Sequence, residues 1–203
     1  IWELCAAAKM RKTGPAVAMT TEPLSPSDHH IRRTFALLET ALFLILAPGC
    51  VAGLVPWWIS RWHFRAPFAG YAPLRAIGAV FIAVGTYVIL DSFARFALQG
   101  LGTPAPVFPT RHLVVKGFYR YVRNPMYVAV GAVILGQALL FGEIRVFEYA
   151  LFFWFLAHLF VLVYEEPTLR KTFGAEYDIF RANVPRWIPR LTPWRGGTES
   201  RHT

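Results

Sequence analysis

Four apolar stretches, at about 34–59, 74–98, 126–142 and 146–164, dominate this 203-residue sequence. At 1.5 Å rise per residue, roughly 20 residues cross a ~30 Å hydrocarbon core. Lipid offers backbone N–H and C=O groups no partners, so apolar stretches of this length are read as helices. The expectation is an all-α integral membrane bundle of four spans. The first stretch is longer than it needs to be and contains Pro48, Gly49 and Pro56, which leaves a broken, five-segment arrangement open. Composition agrees: 55% of residues are hydrophobic and 16% are charged, and the mean hydropathy is +0.40.

The net charge of +9 would suggest nucleic acid in a soluble chain. Here Lys and Arg fall between apolar stretches, where anionic lipid headgroups are the natural counter-charge. The expected partners are therefore membrane lipids and a lipophilic or lipidated substrate, and no nucleic acid. With four spans, one side of the membrane collects seventeen Lys and Arg and the other four. That asymmetry places both termini in the cytoplasm, and an Ala/Arg-rich composition suggests a bacterial inner membrane. Cys5 and Cys50 match no metal spacing, and no metal site is expected. The domain division read from these patterns is a disordered tail over 1–33, a membrane domain over 34–190 and a C-terminal tail over 191–203.

The same asymmetry puts two polar blocks on one face. The first runs Gly117-Phe118-Tyr119-Arg120-Tyr121-Val122-Arg123-Asn124-Pro125-Met126-Tyr127, and the second begins Glu165-Glu166-Pro167-Thr168-Leu169. Asn124 and Pro125 suit an N-cap and first helical position, so the first block either simply starts the third span or forms an anion site. Free N–H groups and the helix dipole favour negative charge there, and Arg123 would add to it. Glu165 and Glu166 are either a solvated helix end or a site for a cationic group such as an ammonium. An anion site beside an ammonium site suits the zwitterionic end of an amino acid. Beyond them, Leu169, Phe173, Tyr177 and Phe180 recur at helical spacing, which predicts one amphipathic interfacial helix. Val184-Pro185-Arg186-Trp187-Ile188-Pro189 cannot continue a helix and is read as an extended strap. His158 stands seven residues before Glu165, on nearly the same face, as either a functional group or a satisfied core histidine. Gln137 is expected to hydrogen-bond between helices.

Arg111-His112-Leu113-Val114 through Gly117, Tyr119, Arg123-Asn124-Pro125 and Tyr127 resembles the isoprenylcysteine carboxyl methyltransferase family. So does Glu165-Glu166 followed by Leu169, Phe173-Gly174, Tyr177 and Val184-Pro185-Arg186. Phospholipid methyltransferases share the general plan. The resemblance implies a membrane enzyme that binds S-adenosylmethionine at the cytosolic interface and methylates a lipid-borne or membrane-partitioned carboxylate, amine or thiol. It implies a cofactor site of Arg111, His112, Leu113, Val114, Tyr119, Arg123, Asn124, Tyr127, Glu165 and Glu166, with Arg123 and Glu165 nearest the chemistry. The chain departs from that family in two places. Asn124 stands where the family usually has His, and Asn does not titrate. Phe160-Val161-Leu162-Val163 lacks the arginine that eukaryotic prenylcysteine members carry before the acidic pair. Two other classes compete: an NADPH-dependent membrane reductase of sterol-reductase type, and a non-catalytic scaffold or transporter.

Overall fold

The computed structural model describes residues 45–98 and 115–196, and every regular element among them is helical. A π-helical stretch, Ile45–Leu54, leads into α1 (Val55–Ser60). A loop carrying a short 3-10 turn, Phe68–Gly70, connects it to α2 (Pro73–Leu98). The 3-10 turn Gly117–Arg120 precedes α3 (Pro125–Phe141), which is followed by α4 (Ile144–Phe160). A π-turn, Val161–Glu165, joins α4 to α5 (Glu166–Phe173), and α6 (Ala175–Asn183) follows.

Two of these helices are long and apolar enough to cross a bilayer: Pro73–Ala94, with mean hydropathy 1.9, and the continuous shaft Ile144–Phe173, with 2.0. α3 has 17 residues and so reaches only about 25 Å. Of the expected first span, only the part from Ile45 onward is described; there it is π-helical around Pro48 and ends at Ser60. The apolar faces of α2 and α4 are not buried within the protein. Val80, Val84 and Tyr87 on α2, and Leu151, Phe152, Phe155 and Leu159 on α4, are exposed. Soluble domains rarely leave so large a contiguous apolar surface to water, whereas lipid accepts it without cost.

α2 and α3 pack at backbone contact. A Cβ added to Gly78 would lie 2.6 Å from the Gly136 carbonyl oxygen, and one added to Gly85 would lie 2.7 Å from that of Ala129. Small residues spaced seven apart on each helix, Gly78 and Gly85 facing Gly136 and Ala129, therefore form a stripe that lets the helices touch. Between lipid-solvated helices close van der Waals contact must supply what hydrophobic burial supplies in water. Ile89, Phe93, Val130, Val133, Ile134 and Val146 complete the core.

At one end of the bundle, a polar latch fixes the chain. The Gln137 amide donates to the Ala52 carbonyl at 2.6 Å and accepts from the Trp62 indole at 3.2 Å, so the expected inter-helix role is present. Glu143 is fully buried and pairs with the Arg65 guanidinium at 2.7 Å. It also accepts from the Arg145 backbone N–H, starting α4. α3 stops just before, at Gly142, whose φ of 68° is a left-handed cap.

The expected single amphipathic tail helix is instead two. Gly174 (φ 51°, ψ −122°) breaks it between α5 and α6, in a backbone conformation that a Cβ disfavours. The apolar stripe is nonetheless real. Leu169, Tyr177 and Phe180 are buried with Val184, and Phe173, Val115 and Trp194 pack around them. This stripe forms a satellite core rather than facing outward. The acidic pair also lies elsewhere than at a helix end, because the shaft runs through it. Pro167 explains the π-turn there: its ring crowds the carbonyl four residues back and it donates no hydrogen bond, so the helix widens by one residue.

The α2–α3 contact predicts that Gly78→Ala lowers stability by about 1–3 kcal/mol, the usual cost of overpacking. Gly53, around which a Cβ would meet nothing within 4 Å, is the control: Gly53→Ala should leave the melting temperature unchanged or raise it. Thermal unfolding of both variants in detergent checks this.

Candidate functional site

At the other end of the bundle, the start of α3 meets the π-turn, α5, α6 and the strap. Val122, Arg123, Asn124 and Pro125 are all buried there. The Arg123 guanidinium donates to Glu166 Oε1 at 2.8 Å through Nη1, and the same nitrogen lies 3.4 Å from the Tyr177 hydroxyl. Arg186 reaches Glu166 from the strap with two bonds, Nε to Oε1 at 2.6 Å and Nη2 to Oε2 at 2.9 Å. Glu166 is thus held between two arginines, one bidentate. Charge-assisted pairs with this geometry are the strong kind. Arg123 and Glu166 are 7% and 8% exposed, so neither charge has water as an alternative partner.

The strap is pinned by its backbone as well. The Arg123 N–H donates to the Pro185 carbonyl at 2.9 Å, the Arg190 N–H to Tyr121 at 2.9 Å and the Trp194 N–H to Arg120 at 2.8 Å. Arg120 Nε returns a bond to the Trp194 carbonyl at 2.7 Å. The expected non-helical strap is therefore present, bent at residues 184 and 186–188 rather than extended, and lies along residues 120–123, with contacts that continue past residue 190 to Trp194. Asn124 spends its side chain on this strap: Nδ2 donates to the Arg186 carbonyl at 3.2 Å, and no side-chain cap is made to α3. The capping role expected of it is replaced by strap anchoring.

Glu165 is 1% exposed and hydrogen-bonded to Tyr127 on the first turn of α3. The structure therefore brings Arg123, Asn124, Tyr127, Glu165 and Glu166 to one place, with Tyr119 in the adjoining 3-10 turn. Arg111, His112, Leu113 and Val114 lie outside the described residues. His158 is half-buried, and its Nδ1 accepts from the Trp187 indole at 2.9 Å. Tyr177 and Arg186 belong to the same constellation; the sequence placed Tyr177 on an amphipathic interfacial helix and Arg186 in the strap, and named both in the motif of the resemblance without assigning either to the site. Spacing gave no hint of their pairing, because each reaches the site across a chain reversal. No group of three His, Cys, Asp or Glu able to hold a metal occurs among the described residues.

The electrostatics follow from burial. Desolvation, with the neighbouring Glu166 charge second, pushes the Tyr177 phenol up to about 12, so it stays a neutral hydrogen-bonding group. The hydrogen bond to Glu166 raises Arg186 further above its ordinary value. Among the described residues, Arg123 Nε is buried without a hydrogen-bond partner.

Two expectations follow. Glu166→Ala strands Arg123 in a dry site, at a cost of about 3–5 kcal/mol; a large drop in melting temperature should result, with a smaller one for Glu166→Gln. Tyr177 titrates near its ordinary 10.0 when unfolded and near about 12 when folded. Its contribution is complete below about pH 10 and is lost as pH rises towards 12, because the unfolded chain releases the proton first. Urea unfolding measured across that window should show stability falling in the native protein and a flatter profile in Tyr177→Phe.

Residues 74–176 match the family model of Phospholipid methyltransferase, just over half of the 203-residue chain. No curated protein and no solved structure matches it. The matched segment contains α2, α3 and the acidic pair, and so Arg123, Asn124, Tyr127, Glu165 and Glu166; Tyr177 and the strap with Arg186 lie beyond it. The family shown is thus broader than the isoprenylcysteine carboxyl methyltransferases that the two motifs resemble. The chain belongs to the phospholipid methyltransferase family and is a membrane-associated, S-adenosylmethionine-dependent methyltransferase.

Proposed function

We propose that the cluster of Arg123, Tyr127, Glu165 and Glu166 holds the amino-acid end of S-adenosylmethionine, and that the acceptor is a membrane-partitioned carboxylate, amine or thiol. The observation that carries this reading is the convergence of both polar blocks at one end of the bundle, around a buried carboxylate and a buried guanidinium. The residues fit the group. Arg123 Nε is a buried donor without a protein partner among the described residues, which suits a carboxylate. Glu165 is a buried carboxylate, which suits an ammonium. Glu166 already carries two arginines, so its role is to hold Arg123 in place rather than to meet the ligand itself. Tyr119, Asn124 and the segment Arg111-His112-Leu113-Val114 complete the proposed set.

When bound, S-adenosylmethionine supplies a sulfonium methyl group for an in-line displacement, and the positive charge on sulfur disappears as the bond to carbon breaks. The protein therefore has little new charge to stabilise, and its main task is alignment. Orientation of this kind is worth on the order of 7–11 kcal/mol when reactants are well placed. Arg123 fixes the start of α3, Glu166 fixes Arg123, and the strap covers both. A carboxylate acceptor needs no base. For an amine or thiol, Glu165, Tyr127 and His158 are the candidates to take the proton.

The proposed setting is a multi-pass membrane protein with this end of the bundle at the cytosolic face. There the acceptor approaches from the bilayer along the exposed apolar sides of the shaft Ile144–Phe173, while the cofactor comes from water. The match to a methyltransferase family gives no support to the reductase reading.

Calorimetric titration of the purified protein with S-adenosylmethionine and with NADPH tests this. S-adenosylmethionine should bind and NADPH should not. Glu165→Gln should weaken binding by roughly tenfold or more, the scale of one charge-assisted hydrogen bond, with the melting temperature preserved. Unchanged affinity in Glu165→Gln would remove Glu165 from the site.

A further inference from the structure

After α6 the strap runs without helix or strand and bends at residues 186–188, and two neighbouring side chains there both reach back to the shaft. Arg186 reaches the Glu166 carboxylate. Trp187, next in sequence, donates its indole Nε1 to His158 Nδ1 at 2.9 Å. Its ring also packs on Trp154 at a centroid separation of 4.7 Å. His158 and Glu166 are on the same helical shaft, eight residues and so roughly 12 Å apart. The strap is thus clamped to the shaft at two points by neighbouring side chains, one ionic and one through an indole.

We infer that the Trp187–His158 pair is a positioning device for the proposed cofactor site: it holds the strap in the register that seats Arg186 on Glu166. This rests on the proposed function for its catalytic consequence, but the clamp itself is a property of the fold. Trp187 has only a donor to offer, so His158 must present an unprotonated Nδ1. That assigns the ring proton of neutral His158 to Nε2. Without the clamp, the residue beside Arg186 is no longer fixed to the shaft, and Arg186 sits less firmly on Glu166. Glu166 then holds Arg123 less firmly. The acidic pair and α3 are unaffected in sequence, so the effect falls on cofactor affinity and not on the reacting groups themselves.

Three substitutions separate the clamp from simple packing. Trp187→Phe keeps a ring against Trp154 and removes the N–H. His158→Leu removes the acceptor. His158→Asn keeps an acceptor close to where Nδ1 lies. Hydrogen–deuterium exchange of the full-length protein, without ligand, is read at the strap amides that include Arg190 and Trp194. Exchange should rise roughly three- to tenfold in Trp187→Phe and His158→Leu, the equilibrium equivalent of one net hydrogen bond. It should stay near the native level in His158→Asn, and the double variant Trp187→Phe/His158→Leu should be no worse than either single one. In turnover, KM for S-adenosylmethionine should rise by a similar factor with kcat retained. Exchange within twofold of native in both single variants, or effects that multiply in the double variant, would overturn the clamp. If exchange responds as expected but the native protein binds no S-adenosylmethionine, the clamp stands and the proposed function falls.

Discussion

Glu166 is the point through which this end of the molecule is organised. A carboxylate so nearly excluded from water is tolerated only because Arg123 and Arg186 compensate it, and those two arginines come from opposite sides of the chain. Arg123 ends the turn before α3, Glu166 sits inside the shaft of α4 and α5, and Arg186 belongs to the strap that returns after α6. Removing Glu166 leaves Arg123 buried without its partner, which is the expensive outcome for an ion cluster, whereas removing either arginine leaves Glu166 with the other. The cluster therefore fixes how three distant segments meet. The buried Glu165, one residue earlier, inherits its position from the same arrangement.

The two ends of the bundle use different physics for the same purpose. At the far end, Glu143, Gln137, Arg65 and Trp62 tie a loop to the helix ends with one ion pair and a few directed hydrogen bonds. Between the ends, α2 and α3 approach through Gly78, Gly85 and Gly136, where shape complementarity carries the contact. At the near end, charge and a π-turn replace packing. The π-turn is local in origin, since Pro167 forces it, yet it sets the direction in which Glu165 and Glu166 leave the shaft. Widened turns of this kind are frequent at functional positions because they re-aim side chains without ending the helix.

Much of this was legible in the sequence. Hydropathy located both ends of α2 and α3 to within one residue and the start of α4 to within two, because an uninterrupted apolar stretch has few other fates; the far end of α4 was missed, because the shaft runs on through the acidic pair. The strap was legible too, since Pro185 and Pro189 exclude a helix. Charge asymmetry alone put the Arg123 and Glu166 blocks on one face. What could not be read was the partnering. Helical spacing at Leu169, Phe173, Tyr177 and Phe180 indicated a continuous helix, but Gly174 adopts a conformation that periodicity does not encode. Asn124 looked like a helix cap and instead binds the strap carbonyl of Arg186. Arg123 looked like an open anion site, whereas Glu166 occupies its Nη1 and leaves Nε. His158 offered no signal of Trp187, twenty-nine residues away. Local patterns specify elements; contacts across a chain reversal depend on how those elements pack.

The proposed cofactor site requires both polar blocks to lie at the same membrane face, opposite the loop after α1. Single cysteines in place of Lys116, Arg181 and Arg61, all exposed positions, placed in a chain with Cys5 and Cys50 replaced, test this directly. In sealed vesicles of one orientation, a membrane-impermeant thiol reagent should label positions 116 and 181 from the same side and position 61 only from the other. Labelling of 116 and 181 from opposite sides would contradict the account.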